Sequence, residues 1–276
     1  MASTRQYAHP RPAQRHRPVG GTSALLILGY AVAAYAGFLA VTGYAIGFFA
    51  DAGVPKGIDQ GPRSPWPLAV AIDLLLLSLF AAQHSVMARP WFKRRWTRLV
   101  PVPAERATYV LCANLLLALL FWLWRPAGGT VWHLSGAAAG AVLALYAIGW
   151  VVAVGSTFMT NHFDLFGLRQ AYLHARGAAY RPPPFTERAL YRWIRHPLMA
   201  GFVIIFWAAP VMTAGHLLFA AAATGYILLG IRFEEHDLRR DLGEPYRAYQ
   251  RRVPALVPAV WLRSQRSTPS QWGKTP

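Results

Sequence analysis

Four short stretches of this chain concentrate side chains suited to acid–base and charge-recognition chemistry. They are Ala82-Gln83-His84-Ser85, Thr160-Asn161-His162-Phe163-Asp164, Tyr191-Arg192-Trp193-Ile194-Arg195-His196-Pro197 and Arg232-Phe233-Glu234-Glu235-His236-Asp237. Imidazole titrates near neutral pH, which suits a general base. A guanidinium grips a carboxylate bidentately, which an ammonium does less well. Paired carboxylates accept from amines and hydroxyls and offset a positive charge. Each stretch borders a long apolar run, so all four fall at one depth if those runs cross a membrane. Ionisable groups at span ends often only snorkel to the interface. A set drawn from four separate segments instead marks a functional site.

The apolar runs must position these groups. Residues 23–50, 66–88, 107–124 and 133–157 are nearly unbroken, and each reads as one span, since a bilayer core needs about 20 helical residues. Residues 198–231 are interrupted by Pro210 and Gly215-His216 and read as a helical hairpin of two short spans, 198–212 and 214–231. The expected fold is all-α, a polytopic membrane protein of about six spans whose last two form a hairpin. Strands are not expected, because period-2 alternation with turn signals is missing. Residues 23–258 read as one membrane domain. Residues 1–22, with Arg5, Arg11, Arg15 and Arg17, read as a disordered basic tail, and 259–276 as a loose polar tail. The first run exceeds the roughly 7–15 apolar residues of a signal peptide and reads as a retained span.

The chain is 55% hydrophobic and 14% charged, with a net charge of +17 over 276 residues; soluble domains run near 25% charged. That combination leaves a nucleic-acid binder or a membrane protein with basic loops. Six spans place 25 of the 28 Lys and Arg on one side, leaving only Lys56, Arg63 and Arg125 opposite. Such charges stay in the cytoplasm, so the expectation is an integral inner-membrane protein with both termini cytoplasmic. No nucleic-acid partner is expected, because the charge is spread over all inner loops. The single cysteine, Cys112, excludes a disulfide scaffold and a multi-cysteine metal site, and no metal is assigned. Asp73, inside the second run, calls for a structural hydrogen bond. Gly43-xxx-Gly47 and Gly136-xxx-Gly140 suggest close helix packing.

One constellation is specific. Arg195-His196-Pro197 opens the hairpin, and Glu234-Glu235-xx-Leu238-xxx-Leu242-Gly243-xx-Tyr246-xx-Tyr249-xxx-Val253-Pro254 follows it. This order resembles the isoprenylcysteine carboxyl methyltransferase superfamily of membrane enzymes. The strings Gln83-His84-Ser85-Val86-Met87-Ala88-Arg89-Pro90, Asn161-His162-Phe163-Asp164-Leu165-Phe166-Gly167-Leu168-Arg169-Gln170 and Met212-Thr213-Ala214-Gly215-His216-Leu217-Leu218-Phe219 are similar to bacterial methanethiol S-methyltransferases. The resemblance implies S-adenosylmethionine as cofactor, bound at the cytosolic face. It places Phe185, Thr186, Tyr191, Arg195, His196, Pro197, Leu198, Met199, Glu234 and Glu235 around that cofactor, with Arg195 on its carboxylate. Met199 departs from the family's frequent aromatic. The implied reaction converts methanethiol, a small thiol, to dimethyl sulfide. For the thiol's proton the candidates are His162 and Asp164, with Asn161 and His84 as orienting groups. Asn161-His162 capping the fourth span and Asp164 pairing with Arg169 or Arg195 are the plainer readings of the same residues. The alternatives are methylation of an isoprenoid or lipid-like acceptor, an NADPH-dependent sterol reductase, and a non-enzymatic membrane protein of the nitric-oxide-response type. Membrane lipids are expected partners, and the oligomeric state is open.

Overall fold

In hydrocarbon every backbone amide needs an internal partner, so the apolar runs close into helices. The computed structural model describes residues 21–183 and 185–258. The expected tails, 1–22 and 259–276, lie almost wholly outside the described residues; only Gly21 and Thr22 are described, as the first residues of a helix. In chain order the elements are α1 (Gly21–Ala50), α2 (Trp66–Ala88), α3 (Pro90–Trp96), α4 (Glu105–Leu123), β1 (Thr130–His133), α5 (Gly136–Thr160), α6 (His162–Leu165), α7 (Leu168–Ala175), α8 (Pro197–Trp207), β2 (Val211–Thr213), α9 (Ala214–Leu242) and α10 (Glu244–Arg252). Helices α1, α2, α4, α5 and α9 are long and apolar enough to cross a membrane, and α8 is apolar but shorter.

The hairpin expected over 198–231 is present with unequal arms. Helix α8 has 11 residues, about 16 Å at 1.5 Å per residue, half of the roughly 30 Å hydrocarbon core. It ends before Pro210, whose missing N–H cannot continue a helix, and the chain proceeds in extended form. There β2 pairs antiparallel with β1. This two-stranded sheet corrects the expectation of no strands: each strand is three or four residues long, too short to leave an alternating pattern. The other arm, α9, runs 29 residues and carries its charged C-terminal turns beyond the apolar part.

Helix α4 packs between α1 and α2, α8 lies against α5 and α9, and α2 meets α9. The main core lies toward the end opposite the basic loops and joins both groups through Phe48, Phe49, Phe121, Trp124, Ile205 and Phe219. Phe48 and Phe121 rings lie 4.6 Å apart. Polar groups in this region are tied off locally. Asp73, fully buried, accepts the Arg125 backbone N–H at 2.9 Å through Oδ1, the structural role its position suggested. Lys56 Nζ donates to the carbonyls of Trp122 and, at 2.7 Å, Trp124, capping the C-terminus of α4 where a cation also meets the favourable end of the helix dipole.

The close helix approach occurs where the spacing motifs did not place it. A Cβ on Gly43, Gly136 or Gly140 would meet nothing within 4 Å, and one on Gly47 would meet only the following turn at Ala52 and Val54. The backbones instead meet between α5 and α8. A Cβ on Gly201 would lie 2.6 Å from the Ala153 nitrogen, and one on Gly149 would lie 3.1 Å from the Gly201 carbonyl oxygen. A four-residue repeat marks a permissive helix face, but the partner's position decides whether that face is used. Gly201→Val is expected to lower stability by about 1–3 kcal/mol through overpacking, whereas Gly43→Ala stays neutral or gains up to about 1 kcal/mol from helix propensity. Thermal unfolding of both variants in detergent micelles checks the contrast.

Candidate active site

The four polar stretches lie on α2, at the α5–α6 turn, before α8 and on α9, and α2 meets α9 while α8 meets α5 and α9. Ser85 Oγ and Tyr226 Oη lie 3.0 Å apart, and Arg89 reaches Asp237 at 3.5 Å while covering the Phe233 ring. These contacts bind α2 to α9.

The Arg195-His196-Pro197 segment sits against the charged turns of α9. Pro197 is the first residue of α8, with His196 as its N-cap, the position where a missing N–H costs nothing. Arg195 Nε donates to Glu235 Oε1 at 2.7 Å, and its terminal nitrogen lies 2.6 Å from the same oxygen. The remaining donors reach the carbonyls of Gln250, at 3.2 Å, and Val253. Arg195 is therefore engaged inward, within the protein. Glu235 also takes a bond from Gln250 Nε2 at 2.8 Å and lies 3.1 Å from His196 Nε2. The backbone N–H groups of Arg195 and His196 donate to the carbonyls of Pro254 and Ala255. The segment after α10 is thus a strap laid along the start of α8. Phe185 packs edge-on against Tyr246 and Tyr249 beneath it, and Tyr249 Oη donates to the Tyr191 carbonyl at 2.7 Å.

Glu234 faces outward. Its side chain is 49% exposed, and its carboxylate lies 3.5 Å from His196 Nδ1. Burial pushes the His196 imidazole down, but Glu234 and then Glu235 more than offset it, and the net shift is upward. Tyr191 completes this set, its hydroxyl beside that of Thr160 in the last turn of α5; burial pushes this phenol up against the lowering effect of Thr160. Leu198 packs on the main core, and Met199 and Thr186 are half-buried.

The second group hangs from the same turn of α5. Asn161 adopts the left-handed conformation, φ 106°, that ends the helix, which short polar side chains tolerate. This turns His162 inward, where it is buried and stacked on Phe158 with centroids 4.0 Å apart. Its Nδ1 lies 2.7 Å from Thr157 Oγ1, and its Nε2 lies 2.7 Å from Tyr35 Oη. The Thr157 hydroxyl donates its single hydrogen to the Val154 carbonyl at 2.6 Å. The bonding network therefore assigns the His162 proton to Nδ1 and leaves Nε2 to accept from Tyr35. Burial pushes the His162 imidazole down, favouring the neutral form. Asp164, by contrast, is held by Arg169 and by Tyr180 Oη, each at 3.0 Å. His84 stacks with Phe80 and lies 5.0 Å from the Tyr109 ring. No side-chain hydrogen bond among the described residues links it to His162 or His196.

Sequence reasoning missed Tyr35 and Gln250. Tyr35 lies within an apolar run and carries no local signal. Gln250 sits between the pattern positions Tyr249 and Val253, and only its contact with Glu235 reveals it. Thr157 and Thr160 stand three residues apart on α5, so they share one face. They join the His162–Tyr35 pair to the Tyr191–Glu234–His196 set.

Two outcomes test this arrangement. Glu235→Gln breaks a buried pair, both side chains being under about an eighth exposed, and should cost about 3–5 kcal/mol by thermal or denaturant unfolding in detergent. Glu244→Gln, on an exposed pair, should leave the midpoint unchanged. The His196 shift predicts a pH signature. Its raised folded value adds stability that is full below the ordinary imidazole value of about 6.5 and is lost as pH rises through the folded value. The stability gap between the native chain and His196→Gln should therefore be widest at low pH and narrow as pH rises. A gap independent of pH would contradict the ionised contact.

The family model described as NnrU protein matches residues 74–239. The chain is 51% identical over 239 residues to methanethiol S-methyltransferase 2 of Bradyrhizobium diazoefficiens, covering 87% of this chain and 92% of that protein. It is 52% identical over 234 residues to methanethiol S-methyltransferase of Mycobacterium tuberculosis, covering 84% and 96%. The methanethiol S-methyltransferase of Crocosphaera subtropica is 45% identical over 88% of this chain and 95% of its own. No solved structure matches. Relatives so similar over nearly their full length carry an enzyme's name, and the non-enzymatic alternative falls away. The chain matches the NnrU model over more than half its length and belongs to the family of these methanethiol S-methyltransferases, membrane-embedded methyltransferase enzymes.

Proposed function

We propose that this enzyme transfers a methyl group from S-adenosylmethionine to methanethiol, releasing dimethyl sulfide, at the basic end of the bundle, and that this end faces the cytoplasm of an inner membrane with both termini on that side. The reading rests on one observation beyond kinship: the last turn of α5 carries Thr157, bound to His162 beside Tyr35, and Thr160, beside Tyr191. The proton-accepting pair and the Tyr191 side of the Glu234–His196 contact thereby meet at one helix turn.

The residues fit the methyl donor. A sulfonium beside an amine and ribose hydroxyls calls for an exposed carboxylate, and Glu234 supplies it, with His196 as its one side-chain partner among the described residues. The resemblance assigns Phe185, Thr186, Tyr191, Pro197, Leu198 and Met199 to the same surroundings. Arg195 and Glu235 act behind this surface, since their donors and acceptors hold the strap and His196 in place. When bound, the donor supplies an electrophilic methyl group on a positively charged sulfur.

Alkyl thiols are mostly protonated at neutral pH, and the thiolate is the nucleophile. Tyr35 Oη takes the thiol proton while passing its own to His162 Nε2, the lone pair that the Thr157 bond leaves available. The thiolate so formed would be the nucleophile toward the donor's methyl group, with His162 keeping the proton. Alignment and exclusion of water provide the remainder of the rate. The rings of Phe38, Phe158, Phe163 and Phe166 around His162 keep that region apolar. Asp164 positions the 164–180 turn through Arg169 and Tyr180, and Asn161 sets the turn that aims His162.

Purified protein in detergent, given methyl-labelled S-adenosylmethionine and methanethiol, should release labelled dimethyl sulfide into the headspace. Tyr35→Phe and His162→Ala should each lower kcat roughly 100-fold with the cofactor KM nearly unchanged, while Glu234→Gln should chiefly weaken cofactor binding by calorimetry. Absence of cofactor binding would overturn the whole reading. Full turnover by a folded Tyr35→Phe variant would remove the relay.

A further inference from the structure

A cavity of about 590 Å³ opens at the basic end between α3, the start of α4, the α5–α6 turn and the 170–183 segment. It is far larger than a thiol of two heavy atoms needs. Lys93, Arg94 and Arg106 line it together with Thr97, Asn161 and Tyr180. Its two acids are already countered: Asp164 by Arg169 at 3.0 Å and Glu105 by Lys93 at 3.9 Å. Arg106 gives its Nε to the Leu165 carbonyl and lies over the Tyr109 ring, and among the described residues it pairs with no carboxylate. Among the described residues, Arg94 forms no side-chain hydrogen bond or ion pair, and it is exposed. The cavity therefore presents guanidinium donors without a matching anion.

Helix α3 locates this cavity relative to a bilayer. Within residues 89–98 stand Arg89, Lys93, Arg94, Arg95 and Arg98, with no acid. The same helix carries Trp91, 48% exposed, while Leu99 just beyond it is 81% exposed. Exposed tryptophan between apolar and basic groups is the pattern of the headgroup layer, where Trp prefers its amphipathic setting and cations meet anionic lipid. Phe158 and Phe163 are likewise exposed at the ends of α5 and α6. A ligand held here would have its charge in the cavity and apolar chains beside these rings.

We propose that the cavity between α3 and the α5–α6 turn binds the phosphodiester headgroup of an anionic membrane lipid of phosphatidylglycerol type. Arg94 and Arg106 donate charge-assisted hydrogen bonds to the phosphate oxygens. A zwitterionic headgroup brings an ammonium into a basic lining and is disfavoured. The bound phosphate ties α3 and α4 to the turn that carries Asn161. The inference uses the basic end's proximity to a membrane surface and does not depend on methyl transfer.

Native mass spectrometry of the purified full chain tests it, with phosphatidylglycerol and phosphatidylcholine added in equal amounts. Phosphatidylglycerol should be retained in preference, and Arg94→Gln should weaken its retention about tenfold, the effect of losing one charge-assisted bond. Arg94→Gln/Arg106→Gln should abolish the preference. Arg176→Gln, an exposed inner arginine outside the cavity, should leave it unchanged, and the thermal midpoint of Arg94→Gln in lipid-free detergent should match the native chain. Equal retention of both lipids, or equal losses from Arg94→Gln and Arg176→Gln, would overturn the site. Displacement of the lipid by inorganic phosphate would reassign it to a free anion. Displacement by S-adenosylhomocysteine would reassign the cavity to the methyl donor. Either reassignment ends the lipid proposal.

Discussion

The carboxylate of Glu235 holds the basic end of this protein together. It receives Arg195 and His196 from the segment that opens α8 and Gln250 from α10. A charge with that little water is tolerated only when its lone pairs are filled, and here each partner brings a structural element with it. Arg195 brings the carbonyls of the strap after α10, His196 brings the first turn of α8, and Gln250 brings α10 itself. Glu234, one residue earlier, is turned outward as a consequence. Adjacent residues of a helix point about 100° apart, so a Glu-Glu pair on a span end can put one carboxylate into the scaffold and keep the other for a ligand.

The α5–α8 contact provides the complementary restraint. Gly201 and Gly149 let the backbones approach until a methyl group would collide, which sets the start of α8 relative to the last turn of α5. Thr157 and Thr160 on that turn then hold His162 and approach Tyr191. The left-handed Asn161 reverses the chain so that His162 enters the bundle rather than continuing along the helix axis. Chemistry assigned to two loops in sequence thereby becomes one site of two neighbouring parts. The opposite end is closed by local devices, Lys56 on the carbonyls of α4 and Asp73 on the Arg125 amide, and is built for stability.

Much of this was legible in the sequence. Four spans were readable within about three residues of their helices, since charged or Pro-containing segments bound apolar runs of bilayer length. The Arg195-His196-Pro197 and Glu234-Glu235 elements were readable as partners because their order and spacing are unusual. The glycine repeats misled, because a permissive face has no meaning until another backbone arrives. The two short strands were invisible, because three or four residues cannot establish a period. Tyr35 was invisible for another reason: a tyrosine in an apolar run looks like any aromatic that anchors a span, and only its contact with His162 across 127 residues distinguishes it.

The sequence by itself determined that the chain is a bundle of apolar helices with its charge at one end, because hydrocarbon admits only long uncharged helices and sorts Lys and Arg to one side. It also determined which residue types gather at that end. Tertiary structure alone decided their roles. Whether an arginine faces a ligand or clamps a strap, which of two adjacent glutamates is exposed, and which nitrogen of His162 holds the proton all depend on hydrogen-bond partners distant in the chain. Those partners come into contact only when the helices have packed.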